Sequence, residues 1–218
     1  MRKIDKGTEP ASLALWKRSN PGGIYDDLER QERQDIRQDI RRSCASEQYY
    51  LCAYCCGRIS GESADTMNEH VVPRSAPVHG AKLSVDYSNI VASCTRRNQC
   101  DDSHKAQHLP LTPLMNECET EFRFRLSGKI EGLTERAKTT INVLNLGDCA
   151  SKNRALIEKR KKLISGLLYQ EGTDPEDISN EDDDILTILL EQFEHPVRGK
   201  LEPFAPCLVN ILKGLLAP

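Results

Sequence analysis

Cys52-Ala53-Tyr54-Cys55 is the segment that most restricts how this chain can fold. Two cysteines three residues apart on a tight turn can present both sulfurs to one zinc ion, and the rest of the chain must then deliver the remaining ligands to that point. Cys94 and Cys100 supply a second pair at a looser spacing. Four thiolates close a tetrahedral shell and leave no position for water, so the implied zinc is structural. The stretch that holds the cysteines is poor in apolar residues. Metal binding there would contribute folding free energy directly, on the order of 10 kcal/mol or more. Cys56 competes with Cys55 for the ligand position, and the sequence leaves that register open. Cys44, Cys118, Cys149 and Cys207 lack partners at ligand spacing and read as ordinary core thiols.

Nine cysteines in 218 residues mean disulfides in an oxidising compartment and metal in a reducing one. Met1-Arg2-Lys3-Ile4-Asp5 alternates charge with no apolar run, so no secretory signal is read. No stretch of about twenty apolar residues occurs. The expectation is a cytoplasmic protein with no membrane partner. The odd cysteine count argues further against a secreted, disulfide-rich domain. A net charge of −3 looks wrong for a nucleic-acid partner, but it averages two opposed stretches. Arg154 and Lys159-Arg160-Lys161-Lys162 are basic, while residues 171–184 are rich in Asp and Glu. A local basic surface can hold phosphates whatever the mean. Lys159–Lys162 itself reads as a solvated helix face.

Periodicity divides the chain in three. Residues 1–48 read as an N-terminal arm and helix: a polar, extended arm over 1–23, then a solvated helix over 24–47 with a thin stripe of Leu28, Ile36 and Ile40. Residues 49–132 form the chemically distinctive core. Cys, His, Gly and Pro are frequent over 49–110, and short strands and loops fit best. Phe122-Arg123-Phe124-Arg125-Leu126 alternates and runs into Ser127-Gly128-Lys129, which predicts a hairpin with a glycine turn. Residues 133–218 form a helical region. Ala137, Ile141 and Leu144 mark one helix. Ser151 can cap another, with Ala155, Leu156, Leu163, Leu167 and Leu168 on one face. The acidic segment 171–184 reads as an exposed linker before two more helices, Ile185–Phe193 and Leu208–Leu216. No internal repeat is found.

Between the cysteine pairs stands Asn68-Glu69-His70-Val71-Val72-Pro73, a carboxylate beside an imidazole. Tyr87-Ser88-Asn89-Ile90-Val91 leads into Cys94, and His104-Lys105 follows Cys100. Histidine, asparagine and histidine therefore occur in order, wrapped by the two cysteine pairs, which points to a catalytic site. Consecutive residues of a regular strand face opposite sides, so Glu69 and His70 need a bulge or a strand end before Pro73 to share a site. Arg74, Arg96, Arg97 and Lys105 flank these residues and could hold phosphates without reading sequence. His79 sits in a Pro-Val-His-Gly loop and reads as a surface residue.

Cys52-x-x-Cys55, Glu69-His70, Asn89, Cys94…Cys100 and His104-Lys105 together resemble the HNH endonucleases of the ββα-metal type. More of the chain is similar to one branch, the PtuB-like HNH effectors of Septu and retron-type antiphage systems. That likeness is carried by Met1-Arg2-Lys3-Ile4, Leu109-Pro110-Leu111-Thr112-Pro113-Leu114 with Cys118-Glu119, Phe122-Arg123-Phe124…Gly128-Lys129-Ile130, and Leu144-Asn145-Leu146 followed by Arg154. It spans about residues 1–165.

The resemblance implies an α+β fold with a small zinc-stapled ββα-metal core between an N-terminal helix and a C-terminal helical region. It implies His70 as general base, Asn89 as the residue that orients it, and Glu69 with His104 as ligands of a catalytic Mg2+ or Mn2+. His108 competes with His104, and Lys105 favours His104. The resemblance also implies phosphodiester hydrolysis in DNA or structured RNA such as tRNA, an ABC-type ATPase partner, and a retron reverse transcriptase with its DNA as a further one. Leu208, Ile211, Leu212, Leu215 and Leu216 are a candidate docking stripe for that ATPase, or else complete the protein's own core. The rival function is a zinc module that recognises nucleic acid or protein without catalysis, which needs the cysteines but not His70.

Overall fold

The computed structural model describes residues 1–29 and 34–216, and the chain is mixed α+β with two separate antiparallel strand pairs. β1 (Thr66–His70) pairs with β2 (Ile90–Cys94), with Thr66 opposite Cys94 and His70 opposite Ile90. β3 (Phe122–Phe124) pairs with β4 (Ile130–Gly132). Among the described residues no helix is long and apolar enough to cross a membrane.

The sequence predicts an extended arm over residues 1–23, but Ala11–Ser19 forms α1. Leu13 and Trp16, three apart, are both buried, and the Ser12 hydroxyl donates to Asp39 at 2.6 Å. Docking one helical turn outweighs the polar flanks. The helix predicted over 24–47 is a 3-10 turn at Tyr25–Glu29 and then α2 (Gln34–Glu47), and its stretch 30–33 lies outside the described residues. α2 packs under β1 and β2 and buries Ile40, Cys44 and Ala45. Gln48, just past α2, is buried and fastens this layer. Its Nε2 donates to the carbonyls of Leu51 and Ala92, both at 2.8 Å, and its Oε1 accepts from the Ala92 amide at 2.7 Å.

Two short helices lie on the core's loops: α3 (Gly80–Leu83) between the strands and α4 (Asp101–His104) directly after Cys100. α4 packs on α5 (Glu135–Leu144), where Thr134 caps the first turn and Ala137, Ile141 and Leu144 are buried as predicted. The Cys100 amide donates to the Leu144 carbonyl at 2.9 Å and the Ser103 hydroxyl to that of Val143 at 2.7 Å. The predicted hairpin is present, and Gly128 is required at its turn. Its φ of +81° is one that side chains avoid, and a Cβ there would stand 2.1 Å from the Ile157 carbonyl oxygen.

α6 (Ala150–Gln170) begins at Cys149 rather than on a Ser151 cap. Asn153 interrupts it with non-helical φ and ψ and caps the next turn, its Oδ1 accepting from the Leu156 amide at 3.1 Å. The buried face beyond is Leu156, Ile157, Arg160, Ile164, Leu167 and Leu168, and Ala155 points outward. The run 159–162 is therefore not a wholly solvated face: Arg160 is fully buried, its guanidinium donating to the carbonyls of Gly128 and Leu146 at 2.6 and 3.1 Å. The acidic segment is largely exposed, yet Thr173 and Ile178 are buried and anchor it. α7 (Asp183–Glu194) and α8 (Ala205–Leu216) pack against each other, and α8 also packs on β3. Leu208 and Leu212 are fully buried, so that stripe completes the protein's own core.

Replacing Gln48 with Ala strands a buried amide and two carbonyls. A loss of about 2–3 kcal/mol in unfolding free energy is expected by urea denaturation. A change below about 0.5 kcal/mol would show that the α2–β2 junction does not depend on it.

Candidate metal centre and adjoining cleft

The thiols of Cys52, Cys55, Cys94 and Cys100 are buried, and their sulfurs all lie within 4.8 Å of one another. Among the described residues this is the one group of three or more metal-ligating side chains gathered so closely. A tetrahedral zinc with Zn–S near 2.3 Å places its sulfurs about 3.8 Å apart. Cys55 and Cys94 are already at 4.0 Å, so the donor set fits a closed zinc site. The local fold explains the convergence. The knuckle is closed by Cys52 N–H to the Gly57 carbonyl at 2.8 Å and Cys56 N–H to the Cys52 carbonyl at 3.0 Å. Ala53 N–H reaches the Ala92 carbonyl at 3.0 Å and docks the knuckle on β2, whose end carries Cys94. Cys94 N–H donates to Cys52 Sγ at 3.3 Å, and Gln99 Nε2 reaches the sulfurs of Cys94 and Cys100 at 3.7 and 3.9 Å. Burial raises the Cys52 thiol, but hydrogen bonds from Cys100, Cys55 and Cys94 outweigh it and hold Cys52 well below the ordinary thiol value.

Cys55, not Cys56, joins the cluster. Cys56 instead meets Cys207, which is also buried. Cys44 and Cys118 are buried as well, but Cys149 is half-buried, beside the Ser151 hydroxyl at 3.2 Å.

Glu69 and His70 both line one cleft of about 500 Å3. β1 pairs in regular register through His70 and ends there, so a strand end rather than a bulge lets them share it. Glu69 Oε1 faces His104 Nδ1 at 2.5 Å and accepts from the Tyr54 hydroxyl at 3.1 Å. His104 Nε2 lies 2.6 Å from the Gln107 carbonyl, which can only accept, so that partner assigns Nε2 the proton. Burial lowers His104 below its ordinary value. Its neutral form therefore aims a bare Nδ1 lone pair at a carboxylate oxygen, an arrangement that calls for a proton on Glu69, or for a cation held by both once the two atoms part to about 3 Å. Burial raises Glu69. His108, the rival to His104, is exposed.

His70 is buried, and its Nε2 donates to the Ser84 carbonyl at 2.8 Å, leaving Nδ1 as the free acceptor. The Tyr25 ring stands edge-on to it, with centroids 4.7 Å apart. Burial is the main cause that pushes His70 down to about 4, so the ring is neutral at physiological pH. Asn89 does not bond this ring. Its Oδ1 accepts from Val72 N–H at 2.8 Å, and its Nδ2 donates to the carbonyls of Val72 and Leu83 at 3.0 and 3.3 Å. The amide is fully occupied holding the loop that carries Ser84, and the Ser84 carbonyl is what meets the imidazole.

Asp101 is missing from the sequence-based site. It lines the cleft and hydrogen bonds to Glu69, and burial together with that neighbour raises it to about 8. The signal was present in the spacing, since Asp101 and His104 are three apart on α4 and share its face. Arg74 and Lys105 line the cleft too, Arg74 in an ion pair with Asp26. Arg96 and Arg97 are exposed and do not line it. Arg96 lies on the thiol side, in a pocket with Cys55, Lys159 and Phe204.

A two-stranded antiparallel hairpin, a short helix after it that carries a buried histidine, and a four-thiol cluster together are consistent with an HNH-like core. No family model matches the chain. It is 28% identical over 96 residues to an Escherichia coli protein assigned as the HNH endonuclease of retron Ec83. The match covers 43% of this chain and 37% of that protein's length. The likeness is confined to that stretch of each protein, and the chain matches little more than a third of that protein's length.

The purified chain should carry about one zinc per molecule by elemental analysis, and Cys100→Ser should lose both the zinc and the cooperative melt; full folding without metal would show that the thiols are a bare core cluster. The His70 ring should keep its neutral Nε2–H form by nitrogen-detected NMR from pH 7 down to about pH 5, whereas a midpoint near the ordinary histidine value would contradict its burial.

Proposed function

We propose that the chain is a metal-dependent HNH endonuclease that hydrolyses nucleic-acid phosphodiester bonds. The observation that carries this reading is the pairing of Glu69 Oε1 with a bare His104 Nδ1 at 2.5 Å, where Glu69 lines the same cleft as a neutral His70 and His104 is buried behind it. His70 is the general base: its Nε2–H is committed to Ser84, and Nδ1 takes the proton of the attacking water. Glu69 and His104 would hold a divalent ion, Mg2+ or Mn2+, with a carboxylate suiting either and an imidazole favouring Mn2+. Such an ion supplies charge neutralisation at the phosphate and the leaving oxygen. Asn89 acts on His70 only through the loop it holds. Arg74 and Lys105 hold substrate phosphates on either side of the cleft.

The resemblance to PtuB-like effectors and the partial match to a retron-associated protein support a wider reading. In it the chain is the toxic effector of an antiphage system and works with an ABC-type ATPase partner, alongside a retron reverse transcriptase and its DNA. The polymer cut is DNA or structured RNA such as tRNA; the same base and ion serve both.

The test is cleavage of plasmid DNA and of tRNA by the zinc-loaded chain with Mn2+, with and without the ATPase partner. His70→Ala should lower the rate at least about 100-fold, with zinc content unchanged. Undiminished cleavage by that variant would remove His70 from the chemistry, and no cleavage of either polymer in any assembly would leave a zinc module without catalysis.

A further inference from the structure

Tyr54 stands inside the zinc knuckle, between Cys52 and Cys55, and is only 1% exposed. Its hydroxyl donates to Glu69 Oε1 at 3.1 Å. Its ring meets that of His104 edge-on, with centroids 6.2 Å apart and planes at 70°. One side chain of the knuckle thus touches both members of the Glu69–His104 pair. Burying a phenol hydroxyl is costly unless it is hydrogen-bonded, and this one is bonded to a carboxylate.

The consequence is geometric. Oε1 has one direction taken by the Tyr54 O–H and another aimed at His104 Nδ1, so the carboxylate cannot swing away without stranding a buried hydroxyl. The knuckle backbone is itself fixed by the bonds of Cys52, Ala53 and Cys56 to Gly57, Ala92 and Cys52. Gathering the four thiols therefore fixes where the Tyr54 hydroxyl points.

We propose that Tyr54 is a positioning residue that presets Glu69 for a divalent ion and makes that ion's affinity depend on the assembled four-thiol site. The inference rests on the reading of Glu69 and His104 as the divalent-ion pair. Outer-shell hydrogen bonds to metal-binding carboxylates are worth roughly 10- to 100-fold in metal affinity.

The test is calorimetric titration of Mn2+ into the zinc-loaded full chain, comparing wild type with Tyr54→Phe and Glu69→Ala. Phenylalanine keeps the ring and its packing and removes only the hydroxyl. Tyr54→Phe should weaken Mn2+ binding roughly 10- to 100-fold while zinc content and melting temperature stay at wild-type values. If Tyr54→Phe binds Mn2+ as tightly as wild type while Glu69→Ala loses it, the positioning role is wrong and the ion pair stands. If Glu69→Ala also binds as wild type does, the ion pair itself is wrong and Tyr54's role falls with it. Loss of zinc in Tyr54→Phe would mean that the hydroxyl serves the fold rather than the ion, and would also overturn the proposal.

Discussion

Four buried thiols drawn to one point hold together segments that have little else to keep them in place. The knuckle at Cys52 and Cys55, the end of β2 at Cys94 and the start of α4 at Cys100 are separate in sequence and meet there. β1 and β2 are five residues each, and an isolated two-stranded hairpin is marginal in water. The packing of α2 beneath it and the thiol cluster beside it supply what the pair lacks. Because Asp101 and His104 follow Cys100 on one helical turn, the cluster also decides where those side chains stand. Tyr54 is carried within the knuckle. The structural centre and the cleft are thus two ends of one local assembly.

Electrostatics in the cleft derive from burial more than from net charge. Burial raises Glu69 and Asp101 and lowers His70 and His104, so each group is pushed toward its neutral form. Two imidazoles held neutral are competent to accept a proton or to offer a lone pair. Two acids pushed toward their neutral forms are groups that a nearby cation would favour as carboxylates. The basic residues Arg74 and Lys105 lie at the cleft lining, where they can meet phosphate without compensating the buried acids. A chain with a net charge of −3 can therefore offer a polyanion a local site.

Covalent spacing and periodicity make part of this molecule legible in its sequence. The two cysteine pairs, the ordered Glu69-His70, Asn89 and His104, the β3–β4 hairpin and the later helices fall into that class. The hidden part depends on contacts remote in sequence. α1 forms because Leu13 and Trp16 find α2, which its polar flanks do not announce. Asn153 rather than Ser151 acts as a cap because α6 bends within its first turns, and only the bend leaves the Leu156 amide open. Asn89 bonds backbone on a neighbouring loop, so its place beside His70 in the motif does not translate into contact with the ring. Tyr54 could not be singled out, because a tyrosine in a knuckle is ordinarily core and its meaning here comes from a carboxylate 15 residues away.

The thiol cluster and the cleft differ in access to water, and that difference matches the chemistry open to each. At the thiols, the C-terminal region closes the back. Phe204 N–H bonds to the Cys56 carbonyl at 2.9 Å, Arg58 to the Leu201 carbonyl at 2.6 Å, and the Phe204 ring lies against Gly57. A four-sulfur shell has no open position for water or substrate on a bound ion, whatever reaches the small pocket beside Cys55, Arg96 and Phe204. At the other end, Glu69 lines a cleft that continues past His70, Arg74 and Lys105, with His104 buried behind it. The segment that carries Phe204 leads into α8, where the amides of Cys207 and Leu208 donate to the Phe204 carbonyl at 2.9 and 3.2 Å and Leu208 and Leu212 are fully buried. Leu208 and Leu212 are thereby withdrawn from the surface, while Ile211 and Leu215 of the same helix line an open groove with Phe122 and Leu133.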